Sequence, residues 1–172
     1  MKIYEDTRNQ KGKHKNINAQ LEALGHEVYR QGLDVGDYTE VNNQTVCIDT
    51  KKDLQEVAGN LSGGIERFKR ECIRAQERGK KLIVLIETED AKNVDDVERW
   101  TNPRLVRWLK IKNAHAKGKA LNVKISKKPP IKGSSMAKTM RTYEKEYGIE
   151  WRFCSPENTG TVIAEVLQEK QV

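Results

Sequence analysis

Two kinds of apolar pattern follow one another along the chain. Short apolar runs of three to five residues predict strands, and longer stretches with an apolar residue at every third or fourth position predict helices. The predicted strands cover 2–4, 26–30, 34–38, 46–48, 82–86, 120–125 and 150–154. The predicted helices cover 16–24, 53–61, 65–78, 104–116, 134–147 and 159–169. Strands that alternate with helices predict an α/β fold in a single domain.

The segment 41–46 has the pattern of a β-hairpin turn. Polar residues at 42–45 separate β-branched Val41 from Val46, and an apolar strand follows at once. Antiparallel pairing across this turn brings the residues before it, including Asp37, beside those after it, including Asp49. Strand alternation also directs the side chains of Asp49 and Lys51 to the same face.

Composition excludes several classes of protein. The 172 residues suffice for one domain with its own core. No apolar run approaches 18 residues, which excludes a membrane span, and the first residues lack the apolar centre of a signal peptide. The three cysteines, Cys47, Cys72 and Cys154, form neither a disulfide framework nor a zinc spacing. We therefore expect a cytoplasmic protein with reduced thiols.

Positive charge is concentrated in one part of the sequence. The window 99–143 holds 13 lysines and arginines and no acidic residue, while the whole chain carries a net charge of +7. Such a stripe on an otherwise mildly acidic chain is typical of a polyanion binder, although a solvated basic face has the same composition. The candidate nucleic-acid contacts in this window are Arg104, Arg107, Lys110, Lys112, Lys127 and Lys128.

The candidate chemistry lies around the hairpin. Asp37 and Asp49 provide two carboxylates of the kind that bind Mg²⁺, and Lys51 provides a cation that stabilises charge on a reacting phosphate. This is the logic of the PD-(D/E)-x-K nucleases. A surface hairpin with solvated acids is the competing interpretation, because a similar triplet, Asp90-Ala91-Lys92, occurs in a polar loop.

Further motifs extend the similarity. The intact matches are Gly36-Asp37-Tyr38, Arg67-Phe68, Leu85-Ile86-Glu87, Trp151-Arg152-Phe153 and the Ser-Pro-Glu-Asn-Thr-Gly segment at 155–160. The chain also has Asp6-Thr7-Arg8-Asn9 for Asp-x-Arg-Glu, and Asp49-Thr50-Lys51 for Glu-Arg-Lys. With these motifs the chain resembles the nuclease domain of the XPF family of structure-specific endonucleases, which includes the archaeal Hef nuclease.

The resemblance implies a restriction-endonuclease-like fold, with a central mixed sheet flanked by helices, and an endonuclease that cuts branched or forked DNA. It implies Mg²⁺ or Mn²⁺ held by Asp6, Asp37 and Asp49, with Lys51 and Arg8 as further catalytic residues. Lys52 and Arg67 would contact DNA. By resemblance we also expect a homodimer and a stand-alone protein of phage or prophage type. The family's helix-hairpin-helix domain has no counterpart in these residues, and the basic insert at about 99–143 would grip DNA instead.

Three departures from the family pattern leave other functions open. Thr50 replaces an arginine, Asn9 replaces an acid, and Gln55 stands where the family has a second aspartate after its lysine; Asp53 or Glu56 could compensate for Gln55. A degenerate domain that binds branched DNA without cutting it is therefore one alternative. An RNA-directed nuclease or binder is another, since a basic insert does not distinguish the nucleic acids.

The histidines and tryptophans carry weaker signals. His14, His26 and His115 show no metal-ligand spacing and are interpreted as structural or surface residues. Trp151 is interpreted as a core residue, whereas Trp100 and Trp108 lie in the basic window and could stack on bases.

Overall fold

Six strands form one mixed sheet in a computed structural model that describes residues 1–119 and 122–169 of the chain. The strands are β1 (Lys2–Asp6), β2 (Glu27–Gln31), β3 (Tyr38–Glu40), β4 (Val46–Lys51), β5 (Lys81–Glu87) and β6 (Glu150–Cys154). Their spatial order is β2-β1-β3-β4-β5-β6. Only β3 runs antiparallel to its neighbours among these described strands; the other pairings are parallel.

Helices cover both faces of the sheet. They are α1 (Lys15–Ala23), α2 (Leu54–Asn60), α3 (Ile65–Glu77), α4 (Val94–Arg99), α5 (Pro103–Ala116), α6 (Gly133–Tyr147) and α7 (Thr159–Glu169), the last preceded by a 3₁₀ turn at Pro156–Asn158. Helices α1 and α7 pack together on one face, and α2, α3 and α6 contact strands on the other. The structure therefore has the mixed α/β sheet flanked by helices that the sequence predicts.

The two faces of the sheet bury separate apolar clusters. On β5, Leu82 and Val84 face α2, α3 and α6, whereas Ile83 and Leu85 face α1 and α7. The same alternation on β4 places Cys47 in the first cluster and Ile48 in the second. Asp49 and Lys51 continue the Cys47 side of the strand, and Thr50 continues the Ile48 side.

Strand direction brings the functional candidates to one edge of the sheet. The parallel strands β1, β4 and β5 end at this edge, and the antiparallel strand β3 begins there. Asp6 ends β1, Asp37 precedes β3, and Asp49 lies near the end of β4. Three acids that are far apart in sequence therefore meet in space.

The structure corrects three parts of the prediction. The strand predicted over 34–38 begins only at Tyr38, because residues 34–37 form a bend. Of the strand predicted over 120–125, residues 122–125 form no strand, and 120 and 121 lie outside the described residues. Val123 and Ile125 instead line a groove beside Trp108 of α5, so their alternation reflects packing against a helix. Helix α4 was not predicted, since its six residues contribute too few apolar positions for a helical period.

The basic window divides into three structural parts. Helix α5 comes first, then residues 117–119 and 122–132, which form no helix, and then α6, whose Met136 and Met140 are fully buried in the core. We call residues 103–119 and 122–132 the basic arm. Trp108 holds the arm together, because its Nε1 donates to the carbonyl of Ser126 (2.9 Å) and its side chain is 9% exposed.

Asn102 fixes the base of the arm. Its side chain caps α5 by accepting from the backbone N–H of Arg104 (3.0 Å), and it donates to the carbonyl of Ile131 (2.7 Å). Its Oδ1 also accepts from Gln55 of α2 (2.6 Å). One buried amide thus joins both ends of the arm to the body of the domain.

In the described part of the chain, none of the helices is both long enough and apolar enough to cross a bilayer.

Replacing Gly36 with alanine is expected to destabilise the fold more than the same change at Gly79. Both glycines have positive φ, +71° and +63°, which costs an alanine about 1 kcal/mol. At Gly36 an added Cβ would also lie 2.9 Å from the carbonyl oxygen of Ile48, whereas at Gly79 it meets open space. We expect Gly36→Ala to lose roughly 2 kcal/mol or more of unfolding free energy, measured by urea denaturation. Equal losses for the two variants would contradict this.

Asn102→Ala is expected to loosen the basic arm. The change removes a helix cap that contributes about 1 kcal/mol and leaves Gln55 and the Ile131 carbonyl without this partner. Limited proteolysis with mass mapping should show faster cleavage within the arm. Asn93→Ala is the control, because Asn93 caps α4 without contacting the arm. Cleavage of Asn102→Ala at the wild-type rate would contradict the role of Asn102 in fixing the base of the arm.

Candidate active site

A cleft of about 400 Å³ opens at the edge where β1 and β4 end. Its walls contain Asp6, Asp37, Asp49 and Lys51, the acids and the lysine of the sequence prediction. Glu71 of α3 also lines the cleft. The cleft therefore brings five carboxyl groups, with Glu56 as the fifth, and the amines of Lys13 and Lys51 to a single polar cavity.

Asp49 and Lys51 form a buried ion pair in the cleft. Lys51 Nζ lies 2.6 Å from Asp49 Oδ2, and both side chains are less than one tenth exposed. Burial raises the pKa of Asp49 to about 7, and the nearby Asp37 and Glu71 add to the shift while Lys51 opposes it. Burial disfavours the charged Lys51, but the adjacent Asp49 outweighs this and raises the pKa of the ammonium group.

Asp37 is held by hydrogen bonds on both oxygens. Its Oδ1 accepts from the amide of Asn9 (2.8 Å), and its Oδ2 accepts from the backbone N–H (2.9 Å) and hydroxyl (2.6 Å) of Thr50. Burial disfavours the carboxylate, yet these donors outweigh it and lower the pKa of Asp37. Two residues that depart from the family pattern, Asn9 and Thr50, thus both support this carboxylate directly.

Asp6 is already engaged with neighbouring groups. Its Oδ1 accepts from the backbone N–H groups of Leu33 (3.0 Å) and Arg8 (3.2 Å). Its Oδ2 pairs with Arg8 Nε at 2.6 Å. Asp6 therefore orients the half-exposed Arg8 at the rim of the cleft.

The third departure, Gln55, points away from the cleft. It hydrogen-bonds Asn102 at the base of the basic arm and does not line the 400 Å³ cleft. Of the two residues that could compensate, Asp53 caps α2 by accepting from Glu56 N–H (2.7 Å), and Glu56 lines the cleft. The position of the family's second aspartate here serves the arm.

Two residues near the site were missed by the sequence analysis. Glu71 lines the cleft and accepts from Gly36 N–H (3.1 Å); its spacing of four from Arg67 on α3 was an available signal. His14, interpreted above as structural or surface, is 5% exposed and lies 3.3 Å from Thr50 Oγ1. No local pattern indicates that contact, because the two residues lie on different elements.

Three of the predicted DNA contacts line a groove beside the cleft, and the other five lie farther along the basic arm. A groove of about 570 Å³ beside the cleft is lined by Lys52, Arg67 and Arg104, together with Lys13. Arg107 lies farther along, in a smaller groove against Trp108. Lys112 covers the Trp108 ring at 4.8 Å, so that ring, buried and covered, serves the packing of the arm. Lys110, Lys127 and Lys128 are exposed on the arm.

The donor set of the cleft fits a hard divalent cation. Among residues 1–119 and 122–169, no group of three or more His, Cys, Asp and Glu side chains is arranged to hold a metal. Asp37 and Asp49 nevertheless place two buried carboxylates in one cavity. Mg²⁺ is commonly bound through one or two carboxylates and keeps several waters, so this set suits it.

Comparisons with solved structures identify similar folds. XPF from Aeropyrum pernix superposes with a TM-score of 0.63 and 18% identity over 99% of this chain and 66% of that one. A second structure, XPF from Aeropyrum pernix in complex with DNA, gives a TM-score of 0.61, again with 18% identity, over 98% of this chain and 64% of that one. This chain thus spans about two thirds of the length of those proteins.

No curated protein sequence matches the chain closely. The ERCC4 domain family, in contrast, matches residues 6–165, which include every acid of the cleft, the basic arm and most of α7. By this match the chain belongs to the ERCC4 domain family.

Proposed function

We propose that this protein is a metal-dependent endonuclease that hydrolyses phosphodiester bonds of DNA. The observation that carries the proposal is the meeting of the buried Asp37, Asp49 and Lys51 in one cleft of an ERCC4 domain. Each is a group that phosphodiester hydrolysis needs, and the topology of the sheet brings them together from two strands.

Asp37 and Asp49 would hold Mg²⁺ or Mn²⁺. When bound, such an ion polarises the phosphodiester and lowers the pKa of a coordinated water. Asp37 keeps its carboxylate charged through the donors Asn9 and Thr50. Asp6 is the proposed further ligand; its hydrogen bonds to Arg8 and Leu33 limit it to its remaining lone pairs.

Lys51 and Arg8 are the proposed phosphate-binding cations. Lys51 reaches the cleft as a buried ammonium beside Asp49, where it can stabilise charge that develops on the phosphate. Arg8 stands at the rim, with its guanidinium oriented by Asp6. The two cations would flank a phosphate bound between the acids.

DNA with a branch or fork is the proposed substrate. The neighbouring groove continues the cleft with Lys52, Arg67 and Arg104, and exposed lysines of the arm extend the positive surface. The similar XPF from Aeropyrum pernix has a structure in complex with DNA. A homodimer, in which a second copy holds another DNA arm, belongs to the same proposal.

Cleavage assays test the enzyme directly. Labelled linear duplex, flap, fork and four-way junction DNA, and matched RNA, are incubated with Mg²⁺, Mn²⁺ or EDTA. We expect metal-dependent cutting, fastest on branched DNA, and a loss of roughly 10²-fold or more in Asp49→Asn and Lys51→Ala.

Asp90 and Lys92, both exposed, supply matched controls for this assay. Asp90→Asn and Lys92→Ala make the same changes outside the cleft and should cut at the wild-type rate. Tight DNA binding by the wild type without cutting in either metal would contradict the enzyme and leave a DNA-binding module. Faster cutting of RNA than of DNA would identify an RNA-directed nuclease.

The salt dependence of binding tests the basic arm. Each lysine that contacts a phosphate contributes about 0.9 to the slope of log affinity against log salt. We expect the double variant Lys127→Gln/Lys128→Gln to lower this slope by nearly two, as measured by fluorescence anisotropy with Ca²⁺ in place of the catalytic ion. Lys2→Gln/Lys145→Gln is the control, since Lys2 starts β1 at the opposite edge of the sheet. An unchanged slope in the first variant would mean that the two lysines face away from DNA.

A further inference from the structure

We propose that His14 is a positioning residue that acts through Thr50 to orient the Asp37 carboxylate for metal binding. The inference rests on the proposed function, in which Asp37 holds the ion. His14 does not line the cleft that contains the acids; it reaches Asp37 from the other face of β4.

Both ring nitrogens of His14 face oxygen atoms. Nε2 lies 3.3 Å from Thr50 Oγ1 and 3.9 Å from Asp37 Oδ2, while Nδ1 lies 3.3 Å from Glu5 Oε1. His14, Glu5, Thr50 and Asp37 are each less than one tenth exposed. Away from water a hydrogen bond is strong, and a buried polar group that loses its partner lowers the stability of the fold.

Glu5, which faces the His14 ring, is itself held by a hydrogen bond. Glu5 Oε2 accepts from the amide of Asn18 (3.0 Å), and Asn18 Oδ1 accepts from the fully buried Tyr38 hydroxyl (2.8 Å). The Tyr38 ring also packs against His14, with 5.4 Å between ring centroids. Burial of His14 and packing against Tyr38 keep its Nε2 beside the Thr50 hydroxyl, although Nδ1 and Glu5 Oε1 make no hydrogen bond to each other.

Thr50 passes this constraint to Asp37. Its hydroxyl donates to Asp37 Oδ2 (2.6 Å), and a hydroxyl proton rotates freely unless neighbouring groups decide its direction. On the other side of Asp37, Asn9 donates to Oδ1 and is contacted in turn by Lys13 Nζ (3.2 Å). The turn between β1 and α1 therefore holds Asp37 from both sides.

This arrangement explains two departures from the family pattern together. Thr50 and Asn9 replace residues that the XPF family has at these places, and both donate to Asp37. A threonine fits beneath His14, where its short side chain reaches the carboxylate and the ring at once. Groups that orient a metal ligand commonly change metal affinity by 10- to 100-fold when removed.

Mn²⁺ affinity of the full chain tests the inference without any need for cleavage. Free Mn²⁺ is titrated by electron paramagnetic resonance against wild type, His14→Phe and Thr50→Val. We expect each variant to bind Mn²⁺ at least roughly tenfold more weakly. Thr50→Ser keeps the hydroxyl and should bind within twofold of wild type.

Thr39→Val is the matched control for a merely structural role. Thr39 is also fully buried in the sheet, and its hydroxyl donates to the carbonyl of Val46 (2.7 Å) away from Asp37. We expect Thr39→Val to lower the thermal midpoint about as much as Thr50→Val while leaving the Mn²⁺ affinity within twofold of wild type.

Two results would overturn the inference, and they differ in what else they affect. If Asp37→Asn loses Mn²⁺ binding but Thr50→Val and His14→Phe do not, the positioning role is wrong and the metal site stands. If Asp37→Asn also binds Mn²⁺ as wild type does, both the inference and the proposed metal site are wrong. Should His14→Phe fail to fold, the smaller substitution His14→Leu decides in its place, with the same weaker Mn²⁺ binding expected.

Discussion

Asp37 lies directly before β3, the strand that is antiparallel to its neighbours, and the Asp37 carboxylate links β3 to β4. The backbone N–H of Asp37 donates to the Ile48 carbonyl (2.7 Å), and the Thr50 N–H donates back to Asp37 Oδ2. Because β3 lies between β1 and β4, this junction also sets where Asp6 and Asp49 stand relative to each other. Gly36 permits the close approach of this turn to β4, since the Cβ of any other residue would lie 2.9 Å from the Ile48 carbonyl oxygen and cause strain.

The two faces of β4 make different contributions to the site. On one face Asp49 and Lys51 reach the open cleft and present the reactive charges. On the other face Thr50 enters a closed polar network with His14. Because its side chains alternate, β4 directs charged groups to the cleft on one side and hydrogen-bonds the neighbouring Asp37 carboxylate through Thr50 on the other.

The basic arm is joined to the site by specific polar contacts. Gln55 points away from the cleft and hydrogen-bonds Asn102. Arg104 lies at the start of the arm and lines one groove together with Lys52 and Arg67. The arm is held at its base and internally through Trp108, whose ring is covered by Lys112. Its positive charges therefore extend from a helix, α5, that starts next to the cleft.

The sequence by itself determined the order of most elements and the candidate acids of the hairpin. Helical and strand periods depend on neighbouring residues, and the turn at 41–46 alone was enough to predict that Asp37 lies beside Asp49. The apolar pattern failed for 122–125, where packing against Trp108 outweighed the strand signal. It also failed for α4, a short capped helix without a periodic signal. Only the tertiary structure decided the roles of Thr50, Gln55, Glu71 and His14. Their partners lie on other elements, and the hydrogen bonds that define them depend on three-dimensional distances that no local pattern encodes.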